Sequence, residues 1–365
     1  AVCIGNVSGQ SKERAPERWE EKNRIENNYI HDITDDYKSA AAVTLGYTRS
    51  TTVNHNIIAN TGYSGIHIGW GWAGSRTRGT DSYDVEIGYN LIEEVQNDRI
   101  YDGGASYSVG SQDNTYSPQK NSRVVGNYYR NSRNVYGPLY LDAGSRWWTC
   151  WNNVIDQKDV VVHESNFDQN YLYPDRLLWT TLTFSTISDN TLYNNYSTAP
   201  RSDVSSENNF EEAHYYPDAN WPEEAQAIIA EAGIQDEYKG NFDFEGPKYF
   251  IMRQKEYIVD TGEEVKINMS VQGLRGEEYD LKDFDIKFYT SNPDAVEITE
   301  DGIIRAKGND LVWAMAVANI GNTVQIKPIR IQAGNETIDI ETAQSEYTMS
   351  RGVSMPITFN SVTGS

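Results

Sequence analysis

One short signal recurs from the N-terminus to about residue 195. It is an asparagine followed by apolar or aromatic residues: Asn28-Tyr-Ile, Asn56-Ile-Ile, Asn90-Leu-Ile, Asn127-Tyr-Tyr, Asn153-Val-Ile and Asn190-Thr-Leu, at intervals of 28, 34, 37, 26 and 37 residues. A second, mostly Gly-containing segment follows most of these sites: Ala42-Val-Thr-Leu-Gly46, Gly65-Ile-His-Ile-Gly69, Gly104-Ala-Ser-Tyr-Ser108, Pro138-Leu-Tyr-Leu-Asp142 and Val160-Val-Val-His163. The segments are short, alternate with period two and end in Gly, Asn, Asp or Ser, which predicts strands rather than helices. Repetition at this interval predicts a solenoid, each coil lying on the one before, with inward side chains forming one long core and equivalent asparagines bonded in a ladder. Unequal spacing places insertions between strands, at Trp72 to Asp81, Ser111 to Asn121 and Phe167 to Asp175.

Composition narrows what such a solenoid does. The 365 residues hold 31 Lys and Arg against 53 Asp and Glu, a net charge of −22. Nucleic acids and anionic membranes are bound through basic patches, so neither is expected as a partner. No apolar run approaches the 18 or so residues of a membrane span. Cys3 and Cys150 make neither a disulfide framework nor a zinc site. No cofactor is expected. Asp35, Asp36, Asp81, Asp84 and Asp113 are oxygen donors without EF-hand spacing, which leaves a structural Ca²⁺ open.

The recurring coils resemble the right-handed parallel β-helix of carbohydrate-active enzymes. Within that group, Asp102-Gly-Gly-Ala-Ser-Tyr-Ser-Val-Gly110 followed by Leu139-Tyr-Leu-Asp-Ala-Gly-Ser145 is most similar to glycoside hydrolase family 141. The likeness covers about residues 1–240 and implies a catalytic domain lacking its first coils. Trp221 to Gly233 resembles the short closing helix of such enzymes. It has apolar Ala225, Ile228, Ile229 and Ala232 on one face, Pro222 at its start and Gly233 after its end, and is expected over 221–232 as a cap on the last coil. Residues 245–340 carry alternating strands at Glu264 to Ser270, Phe284 to Tyr289 and Val324 to Arg330. Ser291-Asn-Pro-Asp-Ala-Val296 and Asp301-Gly-Ile-Ile-Arg-Ala306 resemble bacterial immunoglobulin-like domains, which are β-sandwiches. Glu256-Tyr-Ile-Val-Asp-Thr-Gly262 matches Glu346-Tyr-Thr-Met-Ser-Arg-Gly352 in frame, 90 residues on, so 341–365 reads as the opening of a second such domain. The expectation is one part of a larger secreted or cell-surface bacterial protein, with the missing N-terminal part as one partner. The expected fold is all-β, a solenoid followed by an Ig-like sandwich.

In a strand, alternate residues face opposite sides. With apolar residues inward, Thr44, His67, Ser106, Tyr140 and Val161 form one outer column. Gly46, Gly69, Ser108, Asp142 and His163 form the other, its two bare glycines leaving room for a ligand. Asp142 is the first catalytic candidate, among Tyr140, Trp147 and Trp148; before Ala-Gly-Ser it also serves as an ordinary turn residue. Asp102 is the second, although Asp-Gly is a common turn pair. Glycosidases use two carboxyls, one as acid and one as base or nucleophile, and the family comparison puts the pair at Asp102 and Asp142. Glu164 and Asp98 are alternatives for the second member. His67 and His163 are candidates to bond sugar hydroxyls or to tune Asp142, and Asp98, Arg99 and Tyr140 are further candidates for substrate binding. Trp70, Trp72, Tyr101, Trp147 and Trp148 are candidate sugar platforms, since an aromatic face covers the apolar face of a pyranose. Aromatics also fill solenoid cores.

Three functions compete. A glycoside hydrolase would cleave a plant or host oligosaccharide or polysaccharide. A polysaccharide lyase would need Lys or Arg at a uronate carboxylate. Arg99, Arg123, Arg130, Arg133 and Arg146 are present, but the outer columns hold none, which favours hydrolysis. A glycan-binding or adhesive stalk would need no carboxylate pair.

Overall fold

The computed structural model of the chain describes residues 1–5, 20–33, 39–69, 82–96, 100, 102–110, 112, 121–134, 136–158, 160, 162–163, 170–171, 177–183, 187–321, 323–334, 338–342 and 359–364. It divides into two compact units, Ala1–Glu245 and Gly246–Ser365. Among the described residues no helix is long and apolar enough to cross a membrane.

The first unit is built on three parallel sheets of seven strands each. In chain order the first sheet holds Val2–Ile4, Val43–Leu45, Ile66–Ile68, Ser106–Ser108, Leu139–Leu141, Leu178–Leu182 and Arg201–Val204. The chain visits the three sheets in rotation, and each strand pairs in parallel with its counterparts one round earlier and one round later. Strict register stacks like on like. Ile25, Val53, Ile87, Val124, Cys150 and Leu192 form one inner row of the second sheet. Ile30, Ile58, Ile92, Tyr129 and Ile155 form an inner row of the third. Both rows lie in a single buried core.

The asparagine signal marks the corner between the second and third sheets. Asn27, His55, Tyr89, Gly126, Asn152 and Asn194 each adopt a left-handed conformation there. The next residue is the ladder asparagine: Asn28, Asn56, Asn90, Asn127, Asn153 and Asn195. From Asn56 onward each Oδ1 accepts from the backbone N–H of the preceding rung, at 2.9–3.1 Å, and from its side-chain amide. Such pairing satisfies buried backbone groups that the corner removes from the sheets. The last rung is Asn195, not the expected Asn190. Asn190 bonds to Asn208 and Trp148 at the start of the neighbouring strand.

A helix spans Glu223–Glu231 behind Pro222. It is not a lid on the last round, as the sequence suggested, but the start of a strap running back across the outside of the third sheet. The helix packs beside Val154–Asp156. Beyond it, the Gly233 N–H donates to the Tyr89 carbonyl at 2.7 Å. Gln235 and Asn27 exchange hydrogen bonds at 2.9 and 3.0 Å, and Phe242 and Phe244 meet the Tyr29 ring edge-on. The reason lies in the third sheet's outer positions: Ile57, Leu91, Tyr128, Val154 and Tyr196 are apolar and would otherwise face water.

The second unit contains a sheet of Glu256–Val259, Ile286–Thr290, Asp310–Ile320 and Thr323–Ala333, with smaller sheets beside it. The last two strands pair antiparallel along their whole length. Phe250, Val271, Val296, Ile304, Val312, Ala316, Ile329 and Ile331 share its core. Residues 346–358, where the sequence match to 256–262 falls, lie outside the described residues.

Candidate functional site

The outer face of the first sheet carries a stack of rings. Parallel pairing aligns Thr44, His67, Tyr107, Tyr140 and Thr181. Ring centroids are 4.7 Å apart between His67 and Tyr107, 5.0 Å between Tyr107 and Tyr140, and 4.8 Å between Tyr140 and Tyr136; Tyr63 closes the other end, edge-on to His67.

This corrects the expected columns. Ser106 and Ser108 align with Ile66 and Ile68 on one side and Leu139 and Leu141 on the other, so both face inward and Tyr107 takes the outer place. An inward serine is tolerated because Ser106 Oγ and the Tyr129 hydroxyl bond at 2.9 Å inside the core. The glycine column is also corrected. A Cβ on Gly69 would stand 2.5 Å from the Val109 carbonyl oxygen, and its φ is +74°. The neighbouring round's backbone requires that glycine, rather than a ligand. Finally, the strand after Leu139–Leu141 in this sheet is Leu178–Leu182. Val162–His163 pairs instead antiparallel with Asn170–Tyr171, which takes His163 out of the column expected to hold Asp142.

Asp142 ends its strand in a turn closed by the Ser145 N–H to the Asp142 carbonyl at 2.9 Å, with Gly144 left-handed. Its side chain is nonetheless committed to the ring floor and is only 9% exposed. Oδ2 accepts from the Tyr107 hydroxyl at 2.7 Å, and Oδ1 from the Ala143 N–H at 2.5 Å. The charges of Asp142 and Asp102 both act on the Tyr140 phenol, and the Asp142 charge acts on the Asp102 carboxyl, so the three groups lie close together. Burial, followed by the charges of both aspartates, pushes the Tyr107 and Tyr140 phenols far above their usual range; both remain protonated donors.

Asp102 is exposed at the rim. The Tyr63 hydroxyl donates to its carbonyl at 2.8 Å. The Asn134 side-chain amide donates to the Gly103 carbonyl, and the Gly104 N–H donates to Ser64 Oγ at 3.3 Å. Partial desolvation first, and the Asp142 charge second, raise the Asp102 pKa above its ordinary value; solvent at the rim tempers that shift. Tyr63 is pushed up to about 12, mainly by burial.

His67 lies within the floor rather than on it, 2% exposed, and burial lowers its pKa to about 3. It is a neutral packing partner of Tyr107. Trp148, expected as a platform, is fully buried in the core. Trp147 is half-buried, its ring against the Arg146 guanidinium at 5.7 Å. Trp70, Trp72, Asp98, Arg99, Tyr101 and Glu164 lie outside the described residues. Four other arginines are engaged elsewhere: Arg123 with Asp84 and Glu86, Arg130 with Glu93, Arg133 with Glu94, and Arg146 with Asp189. The structure thus brings Asp142, Asp102, Tyr140 and His67 together. It adds Tyr63, Tyr107 and Tyr136, which sequence reasoning missed. The one signal that could have found Tyr107 is its central place in Ser106-Tyr-Ser108, where an aromatic between two small polar residues fits either face.

No family model and no curated protein matches this chain. Among solved structures, one described as "Glycoside hydrolase" is similar at a TM-score of 0.38 and 21% identity, over 61% of this chain and 29% of that one.

Proposed function

We propose that the chain is a glycoside hydrolase whose two carboxyls, Asp102 and Asp142, act on a glycan at the rim of the buried tyrosine stack of the first sheet. What supports the reading is that Asp142, held by the Tyr107 hydroxyl at 2.7 Å beside a parallel sheet's outer row, has a second carboxyl, Asp102, near enough for the Asp142 charge to raise its pKa. In this account the three sheets are a right-handed parallel β-helix related to glycoside hydrolase family 141, and the second unit is an immunoglobulin-like sandwich. The protein is secreted or cell-surface and bacterial, with an oligosaccharide or polysaccharide as its partner and no cofactor.

The chemistry divides between the two acids by environment. Asp102, at the rim and with a raised pKa, is the proton donor. As the bond from the anomeric carbon to the leaving oxygen breaks, the electron pair stays on that oxygen and the Asp102 proton joins it. Asp142, held by the Tyr107 hydroxyl and the Ala143 N–H, is the second carboxyl: it takes a proton from the water whose oxygen adds at the anomeric carbon, or adds there itself and is released by that water. One water is consumed, and proton exchange with solvent resets both acids. Tyr107 orients Asp142, and Tyr63 orients the Asp102 backbone.

A lyase would need cations at a uronate carboxylate. Among the described residues, Arg123, Arg130, Arg133 and Arg146 are each paired with acids elsewhere, which favours hydrolysis over elimination. The test is a panel of glycans assayed for reducing ends and for absorbance in the unsaturated-uronate band. Hydrolysis gives reducing ends alone, and Asp142→Asn abolishes them while the folded circular-dichroism spectrum persists. Absorbing products, or unchanged turnover by Asp142→Asn, would refute the proposal.

A further inference from the structure

The first unit holds a buried polar cluster that the hydrolytic reading leaves without a task. It lies at the corner where the chain passes from the third sheet to the first. Ser132 exchanges backbone hydrogen bonds with the Gln157 side chain at 2.9 and 2.6 Å, and its hydroxyl donates to Gln96 Oε1 at 3.1 Å. Arg133 pairs with Glu94 at 2.7 Å, their side chains 5% and 1% exposed. Asn134 comes next and is 3% exposed. A buried network of satisfied polar groups holds one geometry, so Asn134 stands on a rigid base.

Asn134 joins two stretches of backbone. Its Nδ2 donates to the Gly103 carbonyl and, at 2.9 Å, to the Gly137 carbonyl. Gly103 directly follows Asp102. Gly137 stands two residues before the strand Leu139–Leu141, which runs into Asp142. Asn134 Oδ1 is buried with no hydrogen-bond partner among the described residues, so the two donors alone account for an amide here. Pro138 has no N–H, and the main chain at that position cannot donate back to the Asp102 segment. Tyr63 and Ser64 grip that segment from the preceding round, through the Asp102 carbonyl and the Gly104 N–H. A Cβ on Gly103 would collide with Ser64 Oγ and the Tyr63 ring. Asn134 grips it from the following round, the one that carries Asp142.

We propose that Asn134 is a positioning residue: its side-chain amide ties the Asp102 segment to the round that carries Asp142 and so sets the separation of the two carboxyls. Its consequence for turnover rests on the reading of Asp102 and Asp142 as a working pair, in which a small misplacement is costly.

The test follows the Asp102 carboxyl by carbon-13 NMR through a pH titration, with Asp102→Asn for assignment. In the wild-type background Asp142→Asn is expected to lower the Asp102 pKa, because the Asp142 charge helps to raise it. Asn134→Leu keeps the branched shape and removes both donors. It is expected to lower the Asp102 pKa toward the ordinary carboxyl value and to shrink the response to Asp142→Asn by about half or more, with an unchanged circular-dichroism spectrum. On a glycan that the wild type cleaves, it should lower kcat about tenfold or more with little change in KM. Should Asn134→Leu not fold, Asn134→Ala is titrated in its place. An Asp102 pKa that stays at the wild-type value in a folded variant would overturn the proposal, whatever the turnover. So would a wild-type Asp102 that ignores Asp142→Asn, since the two carboxyls would then not be held together. A wild type that cleaves no glycan counts against the hydrolytic reading, and the titration still decides the role of Asn134.

Discussion

Tyr107 does the least visible work at the candidate site. Its ring is buried between His67 and Tyr140, and its hydroxyl holds Asp142 Oδ2 at 2.7 Å. A hydrogen bond to a charged group contributes about 1.5–3 kcal/mol, so Tyr107→Phe should lower turnover by about 10- to 100-fold while leaving substrate affinity nearly unchanged, as a kcat against KM comparison would reveal. His67 carries a pH signature. Its folded pKa of about 3 lies below the ordinary 6.5. The unfolded chain therefore takes up a proton that the folded chain refuses, and stability falls as pH drops from 6.5 toward 3. The full span corresponds to about 5 kcal/mol. Denaturant titrations of wild type and His67→Phe should show that slope in the first and not in the second. Asp142 and Tyr140 were legible in the sequence because apolar neighbours at Leu139 and Leu141 fixed their register. Tyr107 was not, because Ser106 and Ser108 carry no apolar signal and a core hydroxyl, Tyr129, makes an inward serine acceptable.

The elements are held by two devices, one visible in the sequence and one half visible. The asparagine ladder was read directly, except for its last rung. An insertion before Leu178–Leu182 lengthens that round, and Asn190 mimics the motif one sheet early. Each interior rung satisfies several buried groups at once: Asn127 accepts from Asn90 twice and donates to the Ile87 and Val125 carbonyls. Asn127→Ala should therefore cost about 2–4 kcal/mol, read as a lowered denaturation midpoint with unchanged cooperativity. The strap was predicted as a helix but misplaced, since the amphipathic pattern of Ala225, Ile228, Ile229 and Ala232 says that a face is buried without saying against what. Gly233 is its tightest point, with φ +99° and a would-be Cβ 3.2 Å from Ile57. Gly233→Ala should destabilise by about 1–2 kcal/mol and raise hydrogen exchange over residues 223–235 before it does so in the sheets.

At the scale of the whole molecule, the sequence conveys an architecture more readily than a site. Seven rounds through three sheets follow from the repeated corner asparagine and from rows of like residues, signals that are summed over many positions. A site depends on single side chains whose facing changes with one residue of register. That is why the all-β parallel arrangement was readable, whereas His163 and Trp148 were assigned to places they do not occupy. The acidic chain, the tyrosine stack and the four arginines paired with acids elsewhere support the proposal that a glycan is cut by addition of water at Asp102 and Asp142. The most direct test is to run the reaction in heavy-oxygen water and weigh the released sugar by mass spectrometry. The account predicts one labelled oxygen in each new reducing end, and none formed by Asp142→Asn. Products lacking the label and lighter by the elements of water would contradict it.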